Sequence, residues 1–390
     1  MGPTHKMFPP IKVELSKALI YLLENKSAAS KVVQYVFKNN KKWGSRDRKV
    51  FAEAFFDVVR NLAFFGEKVN LDIIHYTKEF DLDKIDALFS VYEKGVDDQE
   101  LSLFDLKRTV HKDFLEQLEK NFKTPSDISN YLSESLKIAP VFLRANSVKV
   151  TDEELLDELS REGVKASVIK PGCLKLEERQ NVFNLKSFKL GFFEIQDGAS
   201  QDVAPFLNPE LKSRVADSCA GAGGKTLHIA ALMKNTGSVV AMDIFPRRLE
   251  ELKKRVKRSG LQNISTKPIE TTKAIKRLKS TMDKVLLDVP CTGAGTFRRK
   301  PEGKFFFRTS GLKELIETQK SILDLHSQML KKGGELVYAT CSILDSENSD
   351  QVKSFLKRHS NFTFVEERLN PMGKDEFDGF YMAKLIKKEE

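Results

Sequence analysis

Cysteine is scarce in this chain and tryptophan scarcer, with four and one among 390 residues. The four, Cys173, Cys219, Cys291 and Cys341, stand far apart with no CxxC pair. That spacing argues against a metal site, and a disulfide framework is not expected in a chain this long. No apolar run approaches the ~20 residues of a membrane span, so no membrane partner is expected. The start, MGPTHKMFPPIKVELSK, lacks an apolar core after its basic residues, and no signal peptide is expected there. Lys6 stands where a myristoylation motif wants Ser or Thr. Internal repeats and low-complexity tracts are also absent. A cytoplasmic setting follows as the expectation, in which isolated cysteines are either small core residues or reactive thiols.

What is present is an ordinary globular balance, 41% hydrophobic and 31% charged, which rules out a mainly disordered chain. Lys plus Arg number 65 against 55 Asp plus Glu, a formal net charge of +10 that permits a polyanionic partner without requiring one. Residues 1–135 are poor in glycine and carry apolar residues at helical spacing. Leu15, Leu19, Leu22 and Leu23 form one stripe, and Val50, Phe51, Ala54, Phe55, Val58 and Val59 another. Between them a basic turn carries Lys41, Lys42, Arg46, Arg48 and Lys49, which is either a phosphate contact or a solvated turn. Residues 136–205 read as a small α+β subdomain: Val141–Leu143 and Val168–Ile169 suggest short strands around a helix that a Thr151/Glu154 capping box starts and that runs to Leu159.

From residue 206 to 390 the pattern alternates. Strands are expected at Arg214–Asp217, Ser238–Met242, Asp283–Leu287 and Glu335–Ala339, and helices at Thr226–Lys234, Pro246–Ser259 and Leu312–Leu330. Such alternation implies right-handed βαβ units and a doubly wound α/β sheet, with a further strand near its edge at Asp378–Leu385. Ligands in such sheets bind beyond the carboxyl ends of the strands.

Three motifs fall there. The first is DSCAGAGGKT, Asp217–Thr226. Cys219 stands where a phosphate-gripping P-loop needs glycine, and Thr226 where a dinucleotide fingerprint does. S-adenosylmethionine fits better, its amino-acid end over the glycine loop and its ribose hydroxyls on Asp243 at the end of the next strand. The second is DKVLLDVPCTG, Asp283–Gly293, in which Pro290 keeps the strand exit extended so that Asp288 and Cys291 project together. The third is YATCS, Tyr338–Ser342. Either cysteine alone would read as a small core residue; the two at successive strand ends beside Asp288 point to chemistry.

These segments, with AMDIFPRRLEELKKR, GGELVYATCSILDSENSDQV, FLRAN at Phe142–Asn146 and FEIQDGASQ at Phe193–Gln201, resemble the RsmB/Nop/Sun family of RNA cytosine-5 methyltransferases over roughly residues 140 to 390. GSRDRKVFAEAFFDVVRNLAFF resembles the NusB-like helical domain of RsmB proteins. Ala222 stands where the family more often has proline, and KPIETTK carries no aspartate, leaving Glu270 as the candidate adenine-side contact. The resemblance implies a Rossmann-like class I methyltransferase sheet, preceded by the small subdomain and an all-α RNA-binding domain. It further implies transfer of a methyl group from S-adenosylmethionine to C5 of cytosine; a monomer is expected.

By that likeness Cys341 is the nucleophile, Asp288 assists at N3, and Cys291 aids release of product. Lys225 either polarises this cluster or pairs structurally with Asp288. The cofactor contacts carried over are Cys219, Ala220, Gly221, Ala222, Gly223, Gly224, Lys225, Asp243, Arg248, Glu270 and Asp288. Arg144, Arg298, Arg299, Lys300 and Lys304 are expected to hold RNA phosphates, and Cys173 to be packing. Small-subunit ribosomal RNA is the leading substrate, transfer RNA the alternative. A non-catalytic ribosome-assembly factor is the rival class, disfavoured because a binder needs neither thiol. A DNA cytosine methyltransferase is disfavoured because its nucleophile is the PC-motif cysteine.

Overall fold

The computed structural model describes residues 2, 7–72 and 82–389. Residues 1 and 3–6, part of the leader reading, lie outside them. The chain divides into two compact units: residues 1–138 with 296–312, and 139–295 with 313–390.

The first unit is helical. Both apolar stripes read from the sequence are buried in one core with Phe65, Leu88 and Phe89. Phe51 and Phe55 stack at its centre with ring centroids 5.8 Å apart. The sequence reading stopped this unit near residue 135, but residues 296–312 also belong to it. Phe305 joins the core, and Phe297 and Phe307 pack on Phe114 at 5.1 and 4.9 Å. Within the same unit Glu302 accepts from the Ala29 amide at 3.2 Å, and Lys304 Nζ donates to the Arg60 carbonyl at 3.0 Å.

The second unit holds two sheets. The smaller is antiparallel, in the order β2-β3-β1-β4, from β1 (Phe142–Ala145), β2 (Ala166–Lys170), β3 (Cys173–Leu176) and β4 (Phe193–Ile195). Helix Asp152–Arg161 covers it and opens on the Thr151/Glu154 capping box, as the spacing of those residues demands.

The larger sheet has seven strands: β5 (Arg214–Asp217), β6 (Ser238–Asp243), β7 (Ile264–Pro268), β8 (Met282–Asp288), β9 (Leu330–Thr340), β10 (Phe362–Asn370) and β11 (Phe380–Lys387). Their order is β10-β11-β9-β8-β5-β6-β7. The five strands β9-β8-β5-β6-β7 pair in parallel. β11 runs antiparallel to β9, and β10 to β11. The alternation read from sequence is therefore present, with two modifications at one edge. β11 is not the outermost strand, because β10 covers it. Phe380 and Met382 are buried in the core on one face of the sheet, and Tyr381 and Ala383 in the core on the other. Aliphatic residues such as Val215, Val239, Leu286 and Val337 fill one face, and Val285, Leu287, Leu336 and Tyr338 the other, so the central strands are apolar on both sides.

Candidate active site

The three parallel strands β5, β8 and β9 end side by side, with Asp217 opposite Leu286 and Asp288 opposite Ala339. Whatever follows each strand therefore converges on one edge. From β5 comes the glycine loop. Gly223 adopts φ +88°, and a Cβ there would lie 2.0 Å from Leu252 Cδ1. Only glycine meets both demands. Helix Gly224–Leu232 then begins, its first turn open towards the strand ends. Asp243, at the end of β6, accepts from the Gly221 and Phe245 amides at 2.8 Å each. Arg248 stands 3.8 Å from the same carboxylate and lies over the Phe245 ring. Glu270 is exposed just past β7, whose end pairs with Asp243.

Asp217 is 1% exposed, and its Oδ2 accepts from Thr226 Oγ1 at 2.6 Å. Its Oδ1 is buried without a partner. Burial pushes its carboxyl up to about 7, and the nearby Asp288 adds to the rise. Cys219 follows it, its thiol pushed well above the usual range by burial and by the carboxylates of Asp217, Asp288 and Asp243. Ala220 donates its amide to Met242 O at 2.9 Å, and Ala222 O accepts from Arg255. An open loop, an orphaned acceptor and a carboxylate at the neighbouring strand end suit the amino-acid and ribose parts of S-adenosylmethionine.

Asp288 ends β8, and its Oδ2 accepts from Lys225 Nζ at 2.7 Å. The Lys225 ammonium also lies 4.9 Å over the Phe380 ring, which fixes the long side chain from the β11 side. Beyond Asp288 the Val289 amide donates to Ala339 O at 3.0 Å, and Cys291 lies beside the end of β9. There its Sγ stands 3.3 Å from Cys341 Sγ. Both residues are half-buried. The hydrogen bond with Cys341 and burial together hold the Cys291 thiol well above its usual range. The loop past Cys291 is pinned again where Gly295 donates to Cys341 O at 2.9 Å. A Cβ on Gly295 would meet Gly379 O at 2.0 Å. Cys173 is fully buried, its thiol pushed up to about 11 by burial, in keeping with a packing residue.

The cations expected to hold phosphates are placed otherwise. Arg144 is 4% exposed; it donates to the Gln196 side chain and, at 2.6 Å, to the Gly224 carbonyl. It thus braces the start of the glycine-loop helix, and burial pushes it down to about 9. Lys304 is wholly buried in the helical unit and pushed far below the usual lysine range, so it cannot serve as a surface cation. Arg298 is buried as well, Arg299 half-buried and Lys300 exposed. Arg298 and Lys304 share one cause: residues 296–312 belong to the helical unit, where a basic run in the sequence reads as a loop in water.

Sequence reasoning passed over Glu347, the turn residue that binds both cysteine loops, and Phe380 beneath Lys225. Glu347 lies inside the quoted SILDSENSD segment, and its only sequence signal is an acidic residue shortly after an apolar strand.

A parallel sheet with a glycine loop, a carboxylate after the second strand and reactive groups at the neighbouring strand ends defines a class I methyltransferase fold. The solved structure of PH0851 superposes with a TM-score of 0.80 at 23% identity, covering 98% of this chain and 100% of that one. That of NSun6 from Pyrococcus horikoshii with SFG gives 0.65 at 20% identity, covering 72% and 98%. Both show the fold. Residues 204–386, just under half of the chain, match the family described as 16S rRNA methyltransferase RsmB/F.

The ribosomal RNA small subunit methyltransferase B of Salmonella paratyphi B is 36% identical over 258 residues, 64% of this chain and 60% of that protein. The probable counterpart of Bacillus subtilis is 33% identical over 266 residues, 63% of this chain and 59% of the relative. The chain thus spans about three-fifths of the length of these relatives. Among the described residues no helix is long and apolar enough to cross a membrane.

Proposed function

We propose that the protein methylates C5 of a cytosine in small-subunit ribosomal RNA, as a cytoplasmic monomer using S-adenosylmethionine. The observation that carries the reading is the pair of sulfurs, Cys291 and Cys341, 3.3 Å apart beside Asp288. The names of the relatives favour the ribosomal substrate. Cys219 to Lys225, Asp243, Arg248, Glu270 and Asp288 would hold the cofactor, which supplies an electrophilic methyl group when bound.

The protein's own part is to make C5 nucleophilic. A Cys341 thiolate adding to C6 shifts electron density to C5, splitting one hard step into two easier ones. A proton held on Cys291 and shared with Cys341 favours the thiolate at Cys341. Asp288 and Lys225, already hydrogen-bonded, form the proton-sharing pair that assists at N3. After transfer the C5 proton must leave for the C6–sulfur bond to break; Cys291, once its own thiol proton has passed to solvent, is the adjacent base that takes it, and Cys341 departs as the thiolate. The target base must leave its stack to reach the thiols, so single-stranded or flipped RNA is expected.

The test is transfer of labelled methyl to small-subunit RNA, with transfer RNA in parallel, by wild type, Cys341→Ala and Cys291→Ala. Transfer by wild type to the ribosomal RNA and none by Cys341→Ala supports the reading. Transfer surviving in Cys341→Ala removes the assigned nucleophile. Tight RNA binding with no transfer by wild type to any RNA favours an assembly factor instead.

A further inference from the structure

Two cysteines on separate strand ends can act as a pair only if the loops that carry them keep register. The peptide after each cysteine is tied to the same side chain. Glu347 is wholly buried. Its Oε1 accepts from the Thr292 amide at 2.9 Å, and its Oε2 from the Thr292 hydroxyl at 2.5 Å. Oε2 also accepts from the Ser342 hydroxyl at 2.5 Å. Thr292 follows Cys291, and Ser342 follows Cys341.

A third tie comes from helix Thr309–His326. Gln319 Nε2 donates to Glu347 Oε1 and to Pro290 O, both at 3.0 Å. The turn that presents Glu347 is itself fixed. The Tyr338 hydroxyl donates to the Glu347 carbonyl at 2.6 Å, and Asn348 Nδ2 donates to Ser342 O at 3.1 Å.

We propose that Glu347 is a positioning residue that staples the Cys291 and Cys341 loops and thereby sets the separation of the two thiols. A buried carboxylate that accepts four hydrogen bonds from three elements transmits any displacement of one loop to the other. Its catalytic consequence rests on the methyltransferase reading; the geometric claim does not.

The thiols themselves supply a gauge that needs no RNA. Diamide oxidises two adjacent thiols, forming one S–S bond and taking up both hydrogens as its hydrazine. The Cys291–Cys341 cross-link rate, read by peptide mass spectrometry, therefore reports their separation in full-length protein. Wild type, Glu347→Ala and Glu347→Gln are compared, with melting curves to confirm folding. Glu347→Gln keeps an oxygen for the Thr292 and Gln319 donors and offers its amide to the two hydroxyls, so it should stay near wild type. Glu347→Ala should slow cross-linking, and on the methylation assay lower kcat by about 100-fold with KM for RNA unchanged.

If Glu347→Ala does not fold, the pair Thr292→Val and Ser342→Ala removes the hydroxyl arms and should slow cross-linking in its place. Cross-linking at the wild-type rate in a folded variant lacking these ties overturns the proposal. If wild type methylates nothing yet its cross-linking depends on Glu347, the staple stands and only the functional reading falls.

Discussion

Lys225 Nζ and Asp288 Oδ2 meet at 2.7 Å, joining the first turn of the glycine-loop helix to the strand that leads to Cys291. The contact ties the side that receives the cofactor to the side that carries the thiols. Asp288→Asn should lower methyl transfer by about 10²- to 10⁴-fold, the range for loss of a positioned proton carrier. Lys225→Met should also lower it, and the double variant should be no worse than Asp288→Asn if the two act as one unit. Initial rates at saturating RNA decide this.

The thiol pair predicts an asymmetry. Cys341→Ala should give neither product nor a protein–RNA adduct that survives denaturant. Cys291→Ala should accumulate such an adduct, because the step left slow is the breaking of the sulfur–C6 bond. Gel mobility of labelled RNA in denaturant separates the outcomes.

Asp217 predicts a pH dependence of stability. Its carboxyl is held at about 7 in the folded protein by burial, against ~3.9 in an unfolded chain. Between those values the folded state keeps a proton that the unfolded state has lost. Stability should therefore fall as pH rises through this window, by up to ~1.4 kcal/mol per pH unit. Asp217→Asn should flatten the curve of denaturation midpoint against pH over that range.

The basic run after the PCTG motif predicts unequal effects on RNA binding. Lys304→Met replaces a buried amine with an apolar chain and should change stability by less than about 2 kcal/mol, with the salt dependence of RNA binding unchanged. Lys300→Ala removes an exposed cation and should reduce the slope of log affinity against log salt by about 0.7 to 0.9. A salt titration of both variants distinguishes them.

Much of this arrangement is legible in the sequence. Strand Arg214–Asp217 and helix Pro246–Ser259 occur with the very boundaries read from the sequence, because Asp217 and Pro246 stand at sharp changes of pattern. The glycine loop, Asp243, Asp288 and both strand-end cysteines were visible because each sits where an apolar strand stops. Edge strand β10 was not: FTFVEERLN is largely exposed, so it lacks the apolar run that marked its neighbours. Arg144, Arg298 and Lys304 are buried where charge in a sequence implies water, and only packing reveals the carbonyl partners of Arg144 and Lys304. Glu347 was hidden for a related reason, since its value lies in contacts to residues on three other elements.

The helical unit takes its last piece from residues 296–312, far along the chain. Ribosomal synthesis runs from the amino end, so the helices of residues 9–136 emerge with a place still open for Phe297, Phe305 and Phe307. Strands β5 to β8 of the larger sheet have been made by the time those residues arrive. The amino-terminal core is therefore complete in its native contacts only once the segment that carries the chain on from Cys291 has also been made.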